Sequence, residues 1–367
     1  MIRVLMLADL NSIHTQRWAN AIADQADVPC QLCVFGVWPP TGSESAFRSA
    51  IAVRWEGSSR TTRGRRRMPM RVVRAVPEVR SLIRRFRPHI VHAHYASSYG
   101  LLAALTGFRP LVLSVWGSDV FEFPRRSLVH RAILKLNLRR ASRLTSTSRV
   151  MAREIRRYTT KPATVIPFGI DLNAFTLPPD RSEPCVCCVI GTAKALEAVY
   201  GIDTLIRSFA LVRDMCPDQR VTLSIAGDGP EAEALKRLCE ELHVDRDVRF
   251  LGRLPHREVP GFLQGLDIFV CVSRRESFGV AALEASACGR PVVASEAGGL
   301  PEVVLHGRTG LIVPIDSPQA TAASVAGLVR DRDLRERLGR EGRRWVEQEY
   351  NWRSNVAQML TLYQEIQ

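Results

Sequence analysis

Two glutamates eight residues apart, Glu276 and Glu284, bracket a Ser-Phe-Gly turn in RRESFGVAALEASACGRPVVASEAGGLPEVV, residues 274 to 304. The apolar run DIFVCVS, residues 267 to 273, predicts a buried strand, and VAALEASAC predicts a helix that Gly289 and Pro291 stop. The turn from Glu276 to Gly279 therefore joins a strand's carboxyl end to a helix's amino end. First-turn N–H groups there lack intrahelical partners and the helix dipole is positive, so a phosphate can be held without a dedicated cation, with Gly279 allowing close approach. Carboxylates repel phosphates, so the two glutamates are read as acceptors of hydrogen bonds from hydroxyls at either end of one anionic ligand. The competing reading is a pair of solvated charges flanking an ordinary α/β turn.

The rest of the chain alternates short apolar runs with helical patterns, as parallel α/β proteins do. The first series of strands is IRVLML, CQLCVFG, IAVRW, HIVHAH, LVLSV and RLTSTS, with helices near residues 15 to 26, 77 to 86, 98 to 107, 128 to 141 and 148 to 158. A second series runs VCCVIG, VTLSIAG, VRFLG, DIFVCV, PVVAS and LIVP. Between them, residues 166 to 184 are rich in Pro and aperiodic, which marks a hinge. The expected fold class is α/β, with two doubly wound parallel-sheet domains facing a cleft where strand carboxyl ends bind ligand. The expected domains are residues 1–172, residues 173–350, and a final segment, 351–367. AGDGPE, residues 226 to 231, ends a strand and opens a helix; Gly227 and Gly229 either let a nucleotide approach or simply make a tight turn. His92 and His94 alternate on a strand and so share one side; no third ligand accompanies them, and no metal site is expected. No G-x-G-x-x-G follows a strand, which argues against a nicotinamide or flavin enzyme.

With 367 residues, 46% hydrophobic and 24% charged, the chain is long enough for two cores and has the composition of a soluble globular protein. No apolar run is long enough to span a bilayer, and MIRVLML reads as a first strand rather than a secretory signal, so a cytoplasmic location is expected. Nine cysteines, most inside strand or helix patterns and three of them in PCVCCVIG, fit buried reduced thiols. The net charge of +14 is uneven: residues 1 to 175 carry 28 Lys and Arg against 10 Asp and Glu, and the remainder 23 against 27. Such a basic half suits nucleic acid, an anionic membrane surface, or an acidic polymer or lipid diphosphate acceptor, or it is a solvated basic face. No helix-turn-helix, RNA-stacking motif or zinc knuckle supports nucleic acid.

ESFG, LEA, CGRPVVAS, GGLPEVV and GRTGLIVP, in that order after a strand, resemble the E-x(7)-E segment of the retaining glycosyltransferases of family 4, densely so across residues 160 to 315. The resemblance implies the GT-B architecture, with the last helix, residues 351 to 366, crossing back to the first domain. It implies that Glu276 contacts a donor sugar, Glu284 the nucleotide ribose, and Ser277, Phe278, Gly279 and Val280 the diphosphate. Related enzymes place an Arg and a Lys in the loop after the first strand of this domain; here Lys194 is the only cation between Gly191 and Ile206 and is assigned to the leaving diphosphate. Arg253 in FLGRLP falls where relatives seat the base. In the first half the likeness is looser: Trp116-Gly117 stands where many members have His-Gly, and NSIHTQRW lacks their glycine pair, leaving Ser12, His14, His94 and Asp119 as acceptor-side candidates. The implied function is transfer of a hexose, with retention, from a nucleoside diphosphate sugar to a lipid-linked or polysaccharide acceptor, with no cofactor or metal required. From the basic first half, peripheral attachment to an anionic leaflet at the inner face of the membrane is expected. A nucleotide-sugar epimerase and a non-catalytic nucleotide-sugar or membrane-binding protein are the other readings.

Overall fold

Near-continuous apolar strands demand cover on both faces, and helices between parallel strands supply it. The computed structural model describes residues 1–25, 28–40, 47–55, 68–178 and 187–367. The chain separates into two compact units, residues 1–167 with 353–367, and residues 168–352. The arginine run at 63 to 67, Cys185 and the hinge residues 179 to 184 lie outside the described residues.

The first unit runs β1 (Ile2–Leu7), α1 (Ile13–Ala23), β2 (Cys30–Gly36), β3 (Ala52–Trp55), α2 (Met68–Phe86), β4 (Ile90–His94), α3 (Ser98–Thr106), β5 (Leu111–Val115), α4 (Ser118–Phe121), α5 (Leu128–Arg140), β6 (Arg143–Ser146), α6 (Arg149–Ile155) and β7 (Ala163–Val165). Its sheet is ordered β3-β2-β1-β4-β5-β6-β7, with the strand pairs parallel. Val4 is in register with both Leu32 and Ile90, so β1 is the centre from which the chain winds outward in both directions. The last helix, α14 (Trp352–Ile366), packs here: Tyr363 is fully buried against β4, and Asn355 donates to the Pro167 carbonyl at 3.1 Å.

The second unit runs β8 (Cys187–Ala193), α7 (Ile202–Met215), β9 (Arg220–Ala226), α8 (Ala232–Glu241), β10 (Val248–Phe250), α9 (Val259–Gln264), β11 (Ile268–Cys271), α10 (Val280–Ala287), β12 (Val292–Ser295), α11 (Leu300–Val303), β13 (Gly310–Val313), α12 (Pro318–Arg330) and α13 (Arg332–Glu349). Its parallel sheet is ordered β10-β9-β8-β11-β12-β13. Here the reversal of strand order lies between β8 and β11. In such sheets, loops that leave neighbouring strands on opposite faces part at this point and open a crevice beyond the strand ends.

Two elements differ from the sequence expectation. The helix expected from residue 77 begins at Met68, because Val72, Ala75, Val76 and Val79 continue its buried stripe and Pro77 faces outward. β7 was not expected; three residues of half-buried edge strand carry too little hydrophobic pattern to register.

Candidate functional site

The loops leaving β8 and β11 bring Lys194 and Glu276 together although 82 positions separate them in sequence. Lys194 Nζ donates to Glu276 Oε2 at 2.5 Å, with side chains only 11% and 14% exposed. Burial works against the ammonium, whereas Cys271 and Glu276 beside it work for it, and the Lys194 pKa is raised above the ordinary lysine value. Since burial also raises the Cys271 thiol and keeps it neutral, the Glu276 carboxylate is the partner that holds this charge. Tyr200 lies beneath, with Nζ 5.1 Å from its ring centroid.

Two glycine contacts fix this geometry. A Cβ on Gly227, whose φ is +153°, would fall 1.8 Å from the Lys194 carbonyl oxygen, and Lys194 N–H donates to the Ala226 carbonyl at 3.0 Å. The position of Gly227 is therefore filled by the Lys194 loop, and its expected role of admitting the nucleotide is corrected to seating the lysine. A Cβ on Gly298, with φ +52°, would fall 1.8 Å from the Glu276 carbonyl oxygen, while Gly299 N–H donates to that oxygen at 3.0 Å. The Gly298-Gly299 pair thus locks the turn after β12 onto the turn after β11.

Gly279 caps α10 in the left-handed region, φ 108°, and no side chain caps this helix. The Ser277 to Val280 turn accordingly presents the helix amino terminus. The Phe278 ring is buried, with centroids 6.0 Å from Phe168 and 5.8 Å from Tyr350, which leaves only its backbone to line the turn. Glu284 lies inside α10, 8% exposed, and its Oε1 is 3.5 Å from His256 Nε2, an ion pair only when the imidazole is protonated. Arg253 is exposed on the loop after β10, whose Gly252 carbonyl accepts from Gly227 N–H at 2.8 Å.

Sequence reasoning missed Arg274. Its guanidinium grips both Asp203 carboxylate oxygens, at 2.9 and 2.7 Å, reaches Asp316 at 2.7 Å, and donates to the Ala198 carbonyl. These bonds tie the start of α7 to the residue two before Glu276. The signal was present as an Asp opening one helix and an Arg ending a strand, but nothing local pairs them.

The first unit carries a second cluster at its own order reversal, between β1 and β4. His94 ends β4, 2% exposed, and its ring lies 4.5 Å from Trp116 and 4.5 Å from His92, with His14 of α1 6.0 Å from Trp116. His94 Nδ1 has no hydrogen-bond partner among the described residues. Burial, with His92 and His14 nearby, drives the His94 pKa well down, so the ring is neutral. His92 is bonded on both nitrogens, Nδ1 to Tyr363 Oη at 2.6 Å and Nε2 to Ser114 Oγ at 2.7 Å, and burial lowers its pKa to about 3. Ser12 holds the N-cap position of α1 without a side-chain cap bond. Asp119 is corrected from acceptor contact to scaffold: fully buried, it accepts N–H bonds from Ala96 at 2.7 Å, Gly117 at 2.8 Å and Trp116 at 3.2 Å. Burial raises its pKa to about 6 while those N–H groups pull it down. Among the described residues no group of three or more His, Cys, Asp or Glu is placed to hold a metal ion, and no helix is long and apolar enough to cross a membrane.

A family model described as glycosyl transferases group 1 matches residues 188–345, and one described as glycosyl transferase 4-like matches residues 3–148. The chain is 36% identical over 222 residues to the D-inositol 3-phosphate glycosyltransferase of Corynebacterium jeikeium, covering 57% of this chain and 53% of that protein. It is 33% identical over 215 residues to the GDP-mannose-dependent alpha-(1-6)-phosphatidylinositol monomannoside mannosyltransferase of Mycolicibacterium smegmatis, covering 54% and 55%. The match thus spans about half the length of these curated relatives. The fold is that of the sucrose-phosphate synthase from Thermosynechococcus elongatus, with a TM-score of 0.84 at 20% identity over 100% of this chain and 99% of that one.

Proposed function

The chain belongs to glycosyltransferase family 4, of the GT-B fold, and we propose that it moves a hexose from a nucleoside diphosphate sugar to an acceptor hydroxyl with retention of anomeric configuration. The observation that carries this reading is the Lys194–Glu276 pair at the order reversal of the second sheet, beside the uncapped amino terminus of α10. One of the relatives is named for a GDP-mannose donor, which fits the donor class without choosing the base or the sugar for this chain.

The bond from the anomeric carbon to the diphosphate oxygen breaks with its electron pair leaving on the diphosphate. Negative charge grows there as positive character grows on the sugar. Lys194 and the amides of residues 277 to 280 stabilise the first, and Glu276 accepts from sugar hydroxyls and faces the second. The acceptor oxygen bonds to the same face of the anomeric carbon, and its proton passes to the departing phosphate oxygen. Glu284 holds the ribose, and Arg253 borders the base. His14, His94 and Trp116 border the acceptor. Because a lysine and backbone amides carry the neutralising role, no resident metal is required. The acceptor is a lipid-linked or polysaccharide chain at the inner face of the membrane, and the excess of Lys and Arg in residues 1 to 175 supports peripheral attachment there.

The test is a panel of nucleoside diphosphate sugars read first by thermal shift and then by release of nucleoside diphosphate. At least one donor is expected to raise Tm and to be cleaved, with Glu276→Gln abolishing cleavage and not folding. A panel in which no donor binds, or in which a bound donor is converted to its epimer without acceptor, overturns the proposal.

A further inference from the structure

The first unit exposes apolar side chains where a solvated surface would not. We propose that the outward side of the α2–α3–α5 layer docks on an anionic lipid leaflet. In α5, Leu128 is 81% exposed, Val129 66% and Leu136 39%. At 100° per residue these three and the exposed Ala132 fall within an arc of roughly 100°. Arg131 and Lys135 border that arc on one side and Arg140 on the other, with Arg139 at its far end, all exposed.

α2 repeats the pattern. Met70, 55% exposed, and Val73, 57% exposed, share a side with exposed Pro77, and Arg74, Arg80 and Arg84 run along it. The two helices belong to one layer. Arg80 of α2 donates to the Leu105 carbonyl of α3 at 2.8 Å, and Asn137 of α5 donates to the Ala96 and Ser97 carbonyls just ahead of α3 at 2.8 and 3.1 Å. Val72, Val76, Leu102, Leu134 and Leu138 join one core beneath. α3 itself adds half-exposed Leu101 and Leu105 between the two rows and carries no charge.

Charge complementarity selects the occupant. α2 and α5 carry nine Arg and Lys against the single acid Glu78. Apolar side chains ringed by arginine and lysine are suited to the boundary of anionic headgroups and acyl chains, where the stems insert and the cations meet phosphates. A second copy of the chain would set this positive face against itself.

The proposal deepens the peripheral attachment proposed above and rests on it for the identity of the acceptor, but lipid binding is measured without turnover. The full-length protein is floated with phosphatidylcholine vesicles containing no or one-third phosphatidylglycerol, at low and high salt. Binding is expected only to the anionic vesicles, and weaker at high salt. Leu128→Ser with Val129→Ser is expected to lower partition at least tenfold, since burying one such side chain corresponds to roughly a tenfold change or more. Arg131→Gln with Lys135→Gln and Arg139→Gln is expected to lower it about a hundredfold, at about fivefold per charge. Leu136→Trp supplies a reading in the intact protein: its fluorescence is expected to be quenched by brominated acyl chains, and that of Met215→Trp, on the other unit, is not. Glu276→Gln is expected to float like wild type, so loss of transfer and loss of docking are separable. Wild type that does not float, serine variants that float unchanged, or a dimer abolished by the same substitutions overturns the proposal.

Discussion

Lys194→Met is expected to cost about 3–5 kcal/mol of stability, although the intact Lys194–Glu276 pair contributes little net. Attraction at 2.5 Å amounts to about 7 kcal/mol at an effective dielectric near 20. Exposures of 11% and 14% place both groups nearer the interior than the surface, where removing each from water costs several kcal/mol, so the two effects nearly cancel. Deleting one partner removes the attraction and leaves the other charge in place, which is the costly case. Glu276→Leu is expected to cost less than Lys194→Met, because the ammonium left behind still faces the Tyr200 ring. The double variant, Lys194→Met with Glu276→Leu, should then be close to wild type, so that the coupling energy is nearly as large as the two single losses together and opposite to them in sign. The assay is urea unfolding of the four proteins at neutral pH, with circular dichroism to confirm the fold. Additive losses, or single losses below about 1 kcal/mol, would show that the pair is not formed in solution. Turnover separates from stability here: the double variant is expected to be well folded and inactive.

Four further outcomes are expected. Gly298→Ala, whose Cβ would meet the Glu276 carbonyl oxygen at 1.8 Å with φ +52°, should shift that turn and lower kcat about a hundredfold, measured as donor cleavage at saturation; unchanged kcat would refute the locking role. Glu284→Ala should raise the donor KM roughly ten- to hundredfold with a smaller change in kcat, because a hydrogen bond to the ribose holds the ground state and the transition state equally; a fall in kcat alone would contradict this. Asp119 is raised to about 6 in the fold from 3.8, so its protonated form is favoured natively and the stability it adds below about pH 4 is lost as pH rises to about 6. The stability of wild type relative to Asp119→Asn should fall by roughly 3 kcal/mol across that window in denaturation at stepped pH, and a flat difference would refute it. His92, lowered to about 3 by burial, acts in the opposite sense, adding stability as pH climbs to 6.5, so the variant difference and not the wild-type profile is the informative quantity. Donor cleavage should survive a chelator; complete loss restored by magnesium would refute metal independence.

Much of the fold was legible because parallel strands buried on both faces write themselves as apolar runs. DIFVCVS and VAALEASAC announced β11 and α10 with only their own residues. The Glu276 to Val280 turn was legible for the same reason: strand end, helix start and the glycine that caps the helix are all local. Long-range contacts were harder to read: the return of the last helix to the first unit was expected and is seen, but the neighbours of single residues were not legible. For Gly227 the sequence left nucleotide approach and a tight turn both open, because a glycine after a strand signals close approach without saying of what; its neighbour is the Lys194 backbone. Asp119 was an acceptor-side candidate by resemblance alone, and only the fold shows three backbone N–H groups converging on it.

The amino-acid sequence by itself determined which segments are strands and helices, where the uncapped amino terminus of α10 falls, and that positive charge is concentrated in the first half. Those properties depend on neighbours within a few residues, through hydrogen-bond periodicity and burial pattern. Tertiary structure alone decided that β8 lies beside β11, which sets the Lys194 ammonium against the Glu276 carboxylate, and that α2 and α5 flank α3, which gathers exposed leucines and arginines onto one face. Strand order and helix packing arise from burying one continuous core, a property of the whole chain that no local stretch of residues encodes.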